Sequence, residues 1–123
     1  MVLIVDDEPP VVRVMSRILE RAGFQVATAT SGLHAIAIAS ELPAPPDIVV
    51  SDLRMEPIDG SALARLILAI WPDTRFLFVS GFPPSEAFRD LPGPILAKPF
   101  SPAELVEHVR QLCNTTRNSS RLA

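Results

Sequence analysis

The chain has 123 residues, which is enough for one domain with a sizeable core, and 48% of them are hydrophobic. Its formal net charge of −3 argues against a nucleic-acid-binding surface, and no apolar run is long enough to cross a membrane. Cys113 is the single cysteine and cannot form an internal disulfide, so a reducing, cytoplasmic location is the simpler expectation.

The first part of the chain alternates between predicted strands and helices. Residues 2–6 are predicted as a strand buried on both faces, because residues 2–5 form an uninterrupted apolar run that acids close. A helix is predicted over 9–22, because its apolar residues recur at helical spacing and proline is tolerated in the first helical turn. A strand over 24–28 and a helix over 31–42 follow, and a proline-rich stretch ends that helix. Candidates for the buried side of this helix are Leu33, Ile36, Ala37 and Ala39.

The rest of the chain continues the alternation of strands and helices. Residues 48–52 are its most informative stretch. Consecutive β-branched residues there indicate a second strand buried on both faces, and Asp52 ends it. The last helix is predicted from a Ser-Pro-Ala-Glu sequence, which is typical of a capped helix start. The remaining predictions are, in chain order, helix 59–70, strand 75–80, two helical turns at 84–90, strand 94–97 and helix 101–112.

Five strands that alternate with helices predict a parallel sheet with helices on both faces. Right-handed crossovers limit the topologies, and the flavodoxin-like order 2-1-3-4-5 places the first and third strands side by side. The predicted fold is therefore a flavodoxin-like (βα)5 three-layer α/β sandwich over residues 1–113. Residues 114–123 are polar and aperiodic, and we predict a disordered tail.

This order brings several carboxylates to one rim of the sheet. Asp6 and Asp7 follow the first strand, and Asp52 ends the third. Acids that meet in this way are unfavourable unless a cation neutralises them. The sequence therefore predicts a bound cation at this rim.

Five short motifs resemble the receiver domain of two-component response regulators. No one of them is specific, but all five stand in the family's order, each at the end of a predicted strand or the start of a helix, and the resemblance covers residues 1 to about 113. The motifs are Val5-Asp6-Asp7-Glu8-Pro9, Val50-Ser51-Asp52, Asp59-Gly60, Val79-Ser80-Gly81 and Ala97-Lys98-Pro99-Phe100, and Met55, between the second and the third, also matches the family.

The resemblance implies a phosphoacceptor that switches conformation to signal. A histidine kinase or a histidine phosphotransfer domain would pass a phosphoryl group to Asp52 in the presence of Mg²⁺. An output domain or partner protein would respond, and a homodimer is left open, whereas direct binding to nucleic acid or membrane is not expected. The resemblance also leaves two origins open, a stand-alone receiver and the receiver of a hybrid histidine kinase or longer regulator.

The resemblance further assigns two sets of site residues. Asp52 would be the nucleophile, since a carboxylate can form an acyl phosphate. Lys98, the only lysine in the chain, and Ser80 would contact the phosphoryl oxygens. The groups implied for Mg²⁺ are Asp6 acting through water, Asp7, Asp52 and the backbone carbonyl of Arg54.

Three features depart from the family pattern. Glu56 stands where the family has a proline, and Pro57 follows one place later. Ile95 replaces the aromatic residue that moves inward as the family switches. The proline-rich segment between Ser80 and Lys98 predicts a short or distorted helix, so the output surface is expected to differ.

Two other interpretations stay open. A receiver-like interaction module that works without phosphorylation would usually lose part of the acid–lysine–serine set, which is complete here. A small enzyme with a flavodoxin-like fold would need a glycine-rich first loop to cradle a phosphate, and the first loop here is acidic. We therefore expect a signalling domain rather than an enzyme.

Overall fold

The computed structural model describes residues 1–81 and 90–122, with 115–122 as backbone alone. Five parallel strands form one sheet in the order β2-β1-β3-β4-β5, which confirms the predicted topology. The strands are β1 (Val2–Val5), β2 (Val26–Ala29), β3 (Ile48–Asp52), β4 (Arg75–Ser80) and β5 (Ile95–Ala97). The described helices are α1 (Pro9–Arg21), α2 (Gly32–Glu41), α3 (Gly60–Ile70) and α4 (Pro102–Leu122).

The sheet separates two apolar layers. Alternate residues of β1 show this, because Leu3 packs in the layer with α2 and α3, whereas Ile4 packs in the layer with α1 and α4. All four residues of β1 and all five of β3 are buried, as expected for strands covered on both faces. The predicted three-layer sandwich is therefore confirmed.

The strand register sets the level of the rim. Val5 lies opposite Ser51, so the next residue of each segment, Asp6 and Asp52, reaches the same height. Ser80 lies opposite Ala97, which places Lys98 directly after the neighbouring strand. Parallel pairing alone therefore brings side chains from four separate segments to one edge of the sheet.

Side-chain caps fix three of the helix starts. Ser31 accepts a hydrogen bond from the backbone N–H of His34, and Asp59 accepts one from Ala62. At the start of α4, Ser101 and Glu104 each accept a hydrogen bond from the other's backbone N–H, at 3.1 and 3.0 Å. This reciprocal pair is the capping box that the sequence predicted.

The buried face of α2 differs from the predicted one. We expected Leu33 and Ala37 to be buried with Ile36 and Ala39, but Leu33 is 57% exposed and Ala37 is also exposed. The helix instead buries small residues against the sheet, including Gly32, whose missing side chain leaves room for Ile58. Because nearly every residue of this helix is apolar, periodicity could not identify which face is inside.

The C-terminal segment also differs from the prediction. We expected the last helix to end near residue 112, whereas the backbone of α4 continues to Leu122. The assignment of 114–123 as a disordered tail outside the domain stays a prediction. No glycine or proline interrupts 114–122, so the sequence holds no strong helix stop. Residue 123 lies outside the described residues, as do residues 84–89 of the two predicted helical turns. Of the helices described, none is long and apolar enough to span a membrane.

Gly60 provides a test of how tightly α3 packs under the rim. A methyl group at this position would overlap the backbone carbonyl of Asp52. We therefore expect Gly60→Ala to lower the free energy of unfolding by about 1–3 kcal/mol, since overpacking forces backbone shifts. Urea denaturation of the metal-free protein measures this loss.

The matched control is Gly81→Ala, because the nearest atom to its added methyl group, Cβ of Lys98, lies 4.0 Å away. This variant should lose less than about 0.5 kcal/mol. An equal loss in both variants would show that the contact with Asp52 is not the cause.

Candidate functional site

The rim holds a small cavity lined by residues from four strand ends. Its volume is about 320 Å³, and it opens where β1, β3, β4 and β5 finish. All six residues predicted for the site meet here, five as lining residues and Asp6 fully buried beneath them. The lining residues are Asp7, Glu8, Asp52, Arg54, Ser80, Gly81 and Lys98.

Three carboxylates form the acidic side of this cavity. One oxygen of each of Asp6, Asp7 and Asp52 lies within 4.8 Å of the other two. Asp6 is inaccessible to solvent and Asp52 is 8% exposed, whereas Asp7 is exposed at the mouth. The group thus combines two sheltered negative charges with one that solvent reaches.

Lys98 bridges the two sheltered acids. Its Nζ lies 3.2 Å from Oδ2 of Asp6 and 3.9 Å from Oδ1 of Asp52. The backbone N–H of Glu8 donates a second hydrogen bond to Asp6 at 3.0 Å. Asp6 is therefore compensated by a cation and an amide, whereas Asp52 has the longer contact with the lysine.

The electrostatics of Asp52 follow from this arrangement. Burial and the negative charge of Asp6 raise the pKa of Asp52 from 3.8 to about 6, although Lys98 and the backbone N–H of Arg54 act in the opposite direction. That N–H donates to Oδ1 of Asp52 at 3.4 Å. Without a bound cation, the carboxylate form of Asp52 is thus less favourable than that of an ordinary aspartate.

Ser80 completes the inner wall of the cavity. It is the last residue of β4, it is 4% exposed, and it lines the same space as Asp52 and Lys98. A hydroxyl, a carboxylate and an ammonium group therefore face one volume. This set can accept an anionic group at the hydroxyl and the ammonium while the carboxylate attacks it.

The donor set fits a hard divalent cation. Three carboxylate oxygens lie within 4.8 Å of one another, and that of Asp7 is open to solvent. This arrangement matches the preference of Mg²⁺ for a few oxygen ligands plus water. A second cavity of about 290 Å³ adjoins the site and shares Asp7 and Arg54 with it. Glu56, which replaces the family's proline, lines this second cavity and adds negative charge beside the site.

Sequence reasoning gave no site role to Glu8 or Gly60. The backbone N–H of Glu8 holds Asp6, and the missing side chain of Gly60 lets α3 approach the carbonyl of Asp52. Glu8 stands at the N-cap of α1, and Gly60 follows the N-cap residue of α3, so the sequence marks both positions as helix starts. The contact that each makes, however, depends on the folded backbone.

Ile95 lies at the start of β5, half-buried against the apolar layer that contains Phe76 and Phe78. An isoleucine in this place is already part of the core packing, and its branched side chain has no aromatic ring to rotate. This agrees with the departure from the family pattern that the sequence shows at this position.

Comparison with known proteins gives a consistent result. Residues 2–110 match the family model described as "Response regulator receiver domain". The chain is 39% identical over 115 residues to the sensor kinase CckA of Brucella abortus (strain 2308), covering 90% of this chain but only 12% of that protein. It is 31% identical over 117 residues to the response regulator receiver protein CpdR of the same strain, covering 90% of this chain and 94% of CpdR.

A solved structure agrees with these matches. The crystal structure of a response regulator receiver protein from Sinorhizobium medicae WSM419 superposes with a TM-score of 0.83 at 36% identity, covering 94% of each chain. The family match spans nearly the whole of this sequence, and CpdR is matched over almost its full length. The chain therefore belongs to the receiver domain family of two-component response regulators.

Proposed function

We propose that this receiver accepts a phosphoryl group on Asp52 from a phosphohistidine of a histidine kinase or histidine phosphotransfer domain, with Mg²⁺ as cofactor. The observation that carries the proposal is the position of the Asp52 carboxylate, which lines a cavity with Ser80 and lies 3.9 Å from the ammonium group of Lys98. The carboxylate of Asp52, the ammonium group of Lys98 and the hydroxyl of Ser80 thus border one cavity.

The transfer exchanges one phosphorus bond for another. An oxygen of the Asp52 carboxylate attacks phosphorus, the phosphorus–nitrogen bond to the donor imidazole breaks, and that nitrogen keeps the electron pair and takes up a proton. The product is an acyl phosphate on Asp52. Because the attacking group must be the carboxylate, the site has to offset the raised pKa of Asp52 before transfer.

The residues of this chain have separate tasks in the step. Lys98 would pair with a phosphoryl oxygen in exchange for its longer contact with Asp52, at 3.9 Å. Ser80 offers a hydroxyl from the neighbouring strand end. Asp7, Asp52 and the backbone carbonyl of Arg54 would hold Mg²⁺, with Asp6 acting through water. The ion supplies neutralisation of the charge on the transferring phosphoryl oxygens.

The signal would follow from the added charge. An aspartyl phosphate brings new acceptor oxygens and negative charge to a rim that already holds three acids. A rearrangement that satisfies those oxygens, beginning at Ser80, would bias the domain toward a second state. The match covers 12% of the sensor kinase CckA and 94% of CpdR, so an output domain in the same chain and a separate partner are both compatible with this proposal.

One observation favours a second candidate, an interaction module that works without phosphorylation. Ile95 is half-buried against the core at a position where the family uses a movable aromatic residue. A receiver with a weakened switch could bind its partner constitutively. The intact acid–lysine–serine cavity favours the phosphoacceptor.

Intact mass spectrometry after incubation with acetyl phosphate tests the proposal. We expect the wild type to gain the mass of one phosphoryl group only when Mg²⁺ is present, because the carboxylate attacks a phosphate that needs a cation beside it. Asp52→Asn should gain none. The control Asp73→Asn removes an exposed acid far from the rim and should be labelled like the wild type. Labelling of Asp52→Asn, or none in the wild type with Mg²⁺ binding confirmed, would contradict the proposal.

The raised pKa of Asp52 predicts a pH-dependent stability in the absence of metal. A folded pKa of about 6 against 3.8 means that the folded state holds this proton more tightly, so stability falls as pH rises between these values. Asp52→Asn removes this cost and should be more stable than the wild type by about 2–3 kcal/mol near pH 7.5. The difference should shrink toward zero near about pH 4, where Asp52 keeps its proton in the folded state.

Denaturant titrations in the presence of a chelator, at both pH values, measure this difference. A difference that does not change with pH would mean that the amide substitution acts through packing. Adding Mg²⁺ should narrow the gap at the higher pH, because the ion binds only the folded carboxylate form.

Arg54 is expected to protect the phosphorylated site from water. It is exposed and lines both the site cavity and the adjoining cavity, so its long side chain stands at the entrance. Arg54→Ala should shorten the lifetime of the aspartyl phosphate several-fold, measured as loss of the phosphorylated mass with time. Arg65→Ala on the exposed face of α3 is the matched control and should leave the lifetime unchanged. An unchanged lifetime in Arg54→Ala would reject the shielding role.

A further inference from the structure

A groove lies at the end of the sheet where the strands begin, opposite the acidic rim. Its volume is about 340 Å³, and it is formed by the loop that leads into β3 and the loop that leads into β4. None of the six predicted site residues lines it. We refer to it as the Trp71 groove, and the lining residues that matter for binding are Pro45, Asp47, Ile70, Trp71, Pro72 and Asp73.

The two loops that form the Trp71 groove are joined to each other. The buried hydroxyl of Thr74 donates a hydrogen bond to the backbone carbonyl of Pro46 at 2.8 Å. The backbone N–H of Arg75 donates one to the carbonyl of Asp47 at 2.9 Å. Prolines restrict the backbone in both loops as well. The groove is therefore preformed, and a ligand that fills it has little of the protein to order.

The wall of the groove is apolar and partly open to water. Ile70 ends α3 and is 54% exposed, although it is a large apolar residue. Trp71 is half-buried, because it packs against the apolar layer that α2 and α3 cover and also lines the groove. Pro45 and Pro72 are exposed in the same lining. Apolar side chains that meet in a concave surface are typical of a binding site.

The rim of the Trp71 groove is acidic. Asp47 and Asp73 are exposed there, and none of the described residues that line the groove is basic. Asp47 already pairs with a cation, since the terminal ammonium group of Met1 lies 2.7 Å from its Oδ2. Asp73 forms no ion pair with a residue that the structure describes. The charge of the rim therefore favours a positively charged ligand.

Size and charge together limit what fills the groove. Its volume is at the lower end for a ligand site, so it suits a few side chains of one segment rather than the whole face of a helix. Extended segments that contain proline dock into aromatic-lined grooves. Arginine can lay its apolar stem on such a surface, stack on an aromatic ring and pair with a carboxylate. A second copy docked through the same groove would oppose two acidic rims, because a two-fold interface pairs a patch with itself.

We propose that the Trp71 groove binds a short, extended, proline-containing segment of a partner protein that carries arginine. The apolar residues of the segment pack on Ile70 and Trp71, and its arginine pairs with Asp47 or Asp73. The groove and Asp52 lie at opposite ends of the strands. This binding does not depend on phosphorylation of Asp52, so it stands or fails separately from the proposed function.

Tryptophan fluorescence tests the proposal on the full chain, because Trp71 is its only tryptophan. The probe is a short synthetic peptide of prolines and leucines that carries two arginines, and the comparison peptide has glutamates in place of those arginines. We expect the arginine peptide to change the emission of Trp71 until it saturates, and the glutamate peptide to leave the emission unchanged. The affinity should fall as salt is added, because the carboxylates of the rim are exposed.

Two double variants with the same change in charge test the acidic rim. Asp47→Asn combined with Asp73→Asn should weaken binding of the arginine peptide by about tenfold. Glu20→Gln combined with Glu107→Gln neutralises exposed acids outside the groove and should weaken it by less than about twofold. Asp73→Asn alone, which keeps the pair between Met1 and Asp47, should weaken binding by about threefold. All three variants should keep the circular dichroism spectrum of the wild type.

A pair of single variants tests the apolar wall. Leu66 and Ile70 are exposed large apolar residues of α3, at 44% and 54%, but only Ile70 lines the groove. Ile70→Ser should weaken binding by about fivefold, because the peptide then covers less apolar surface. Leu66→Ser is the matched control and should weaken it by less than about twofold.

Several results would overturn the proposal. These are no saturable change in emission with the arginine peptide at millimolar concentration, equal binding of the glutamate peptide, or an equal loss in a groove variant and its control. Binding of free arginine as tight as that of the peptide would assign the groove to a small cation. Self-association of the wild type that Ile70→Ser abolishes would assign it to a second copy.

Discussion

The structure depends on how two carboxylates, Asp6 and Asp52, are kept at one rim with little access to water. A buried carboxylate is unfavourable unless charges or hydrogen bonds compensate it. Asp6 obtains this from Lys98 at 3.2 Å and from the amide of Glu8, whereas Asp52 has the same lysine at 3.9 Å. Because β1, β3 and the end of β5 each supply one member, the arrangement exists only when the sheet is complete.

Lys98 compensates the negative charges of Asp6 and Asp52 unequally, and this difference bears on the chemistry that the site could perform. Asp6 is held firmly, while Asp52 keeps a pKa raised to about 6 and borders an open cavity with Ser80. A cation bound at a site of this kind would relieve part of the cost of the sheltered negative charge.

The two helix layers on either side of the sheet differ in how closely they pack. Small residues of α2 pack closely against one face, and Gly32 accommodates Ile58 there. On the other face, α1 and α4 diverge enough to leave a groove with an apolar floor and three arginines. The acidic rim and the basic groove therefore lie on one small domain as separate surfaces of opposite charge.

The sequence alone predicted the strand order and, apart from the end of α4, the element boundaries to within a few residues, because buried strands are local patterns. The six residues that it proposed for the site meet at one rim, and their roles stay a prediction. The sequence did not determine the buried face of α2, where an almost wholly apolar helix gives no periodic signal, or the end of α4, where no residue stops the helix. Only the tertiary structure decided that Lys98 bridges Asp6 and Asp52, that Gly60 lies against a carbonyl, and that Arg17 and Arg110 border one groove. These contacts join residues far apart in the chain, and the packing of whole elements sets their distances.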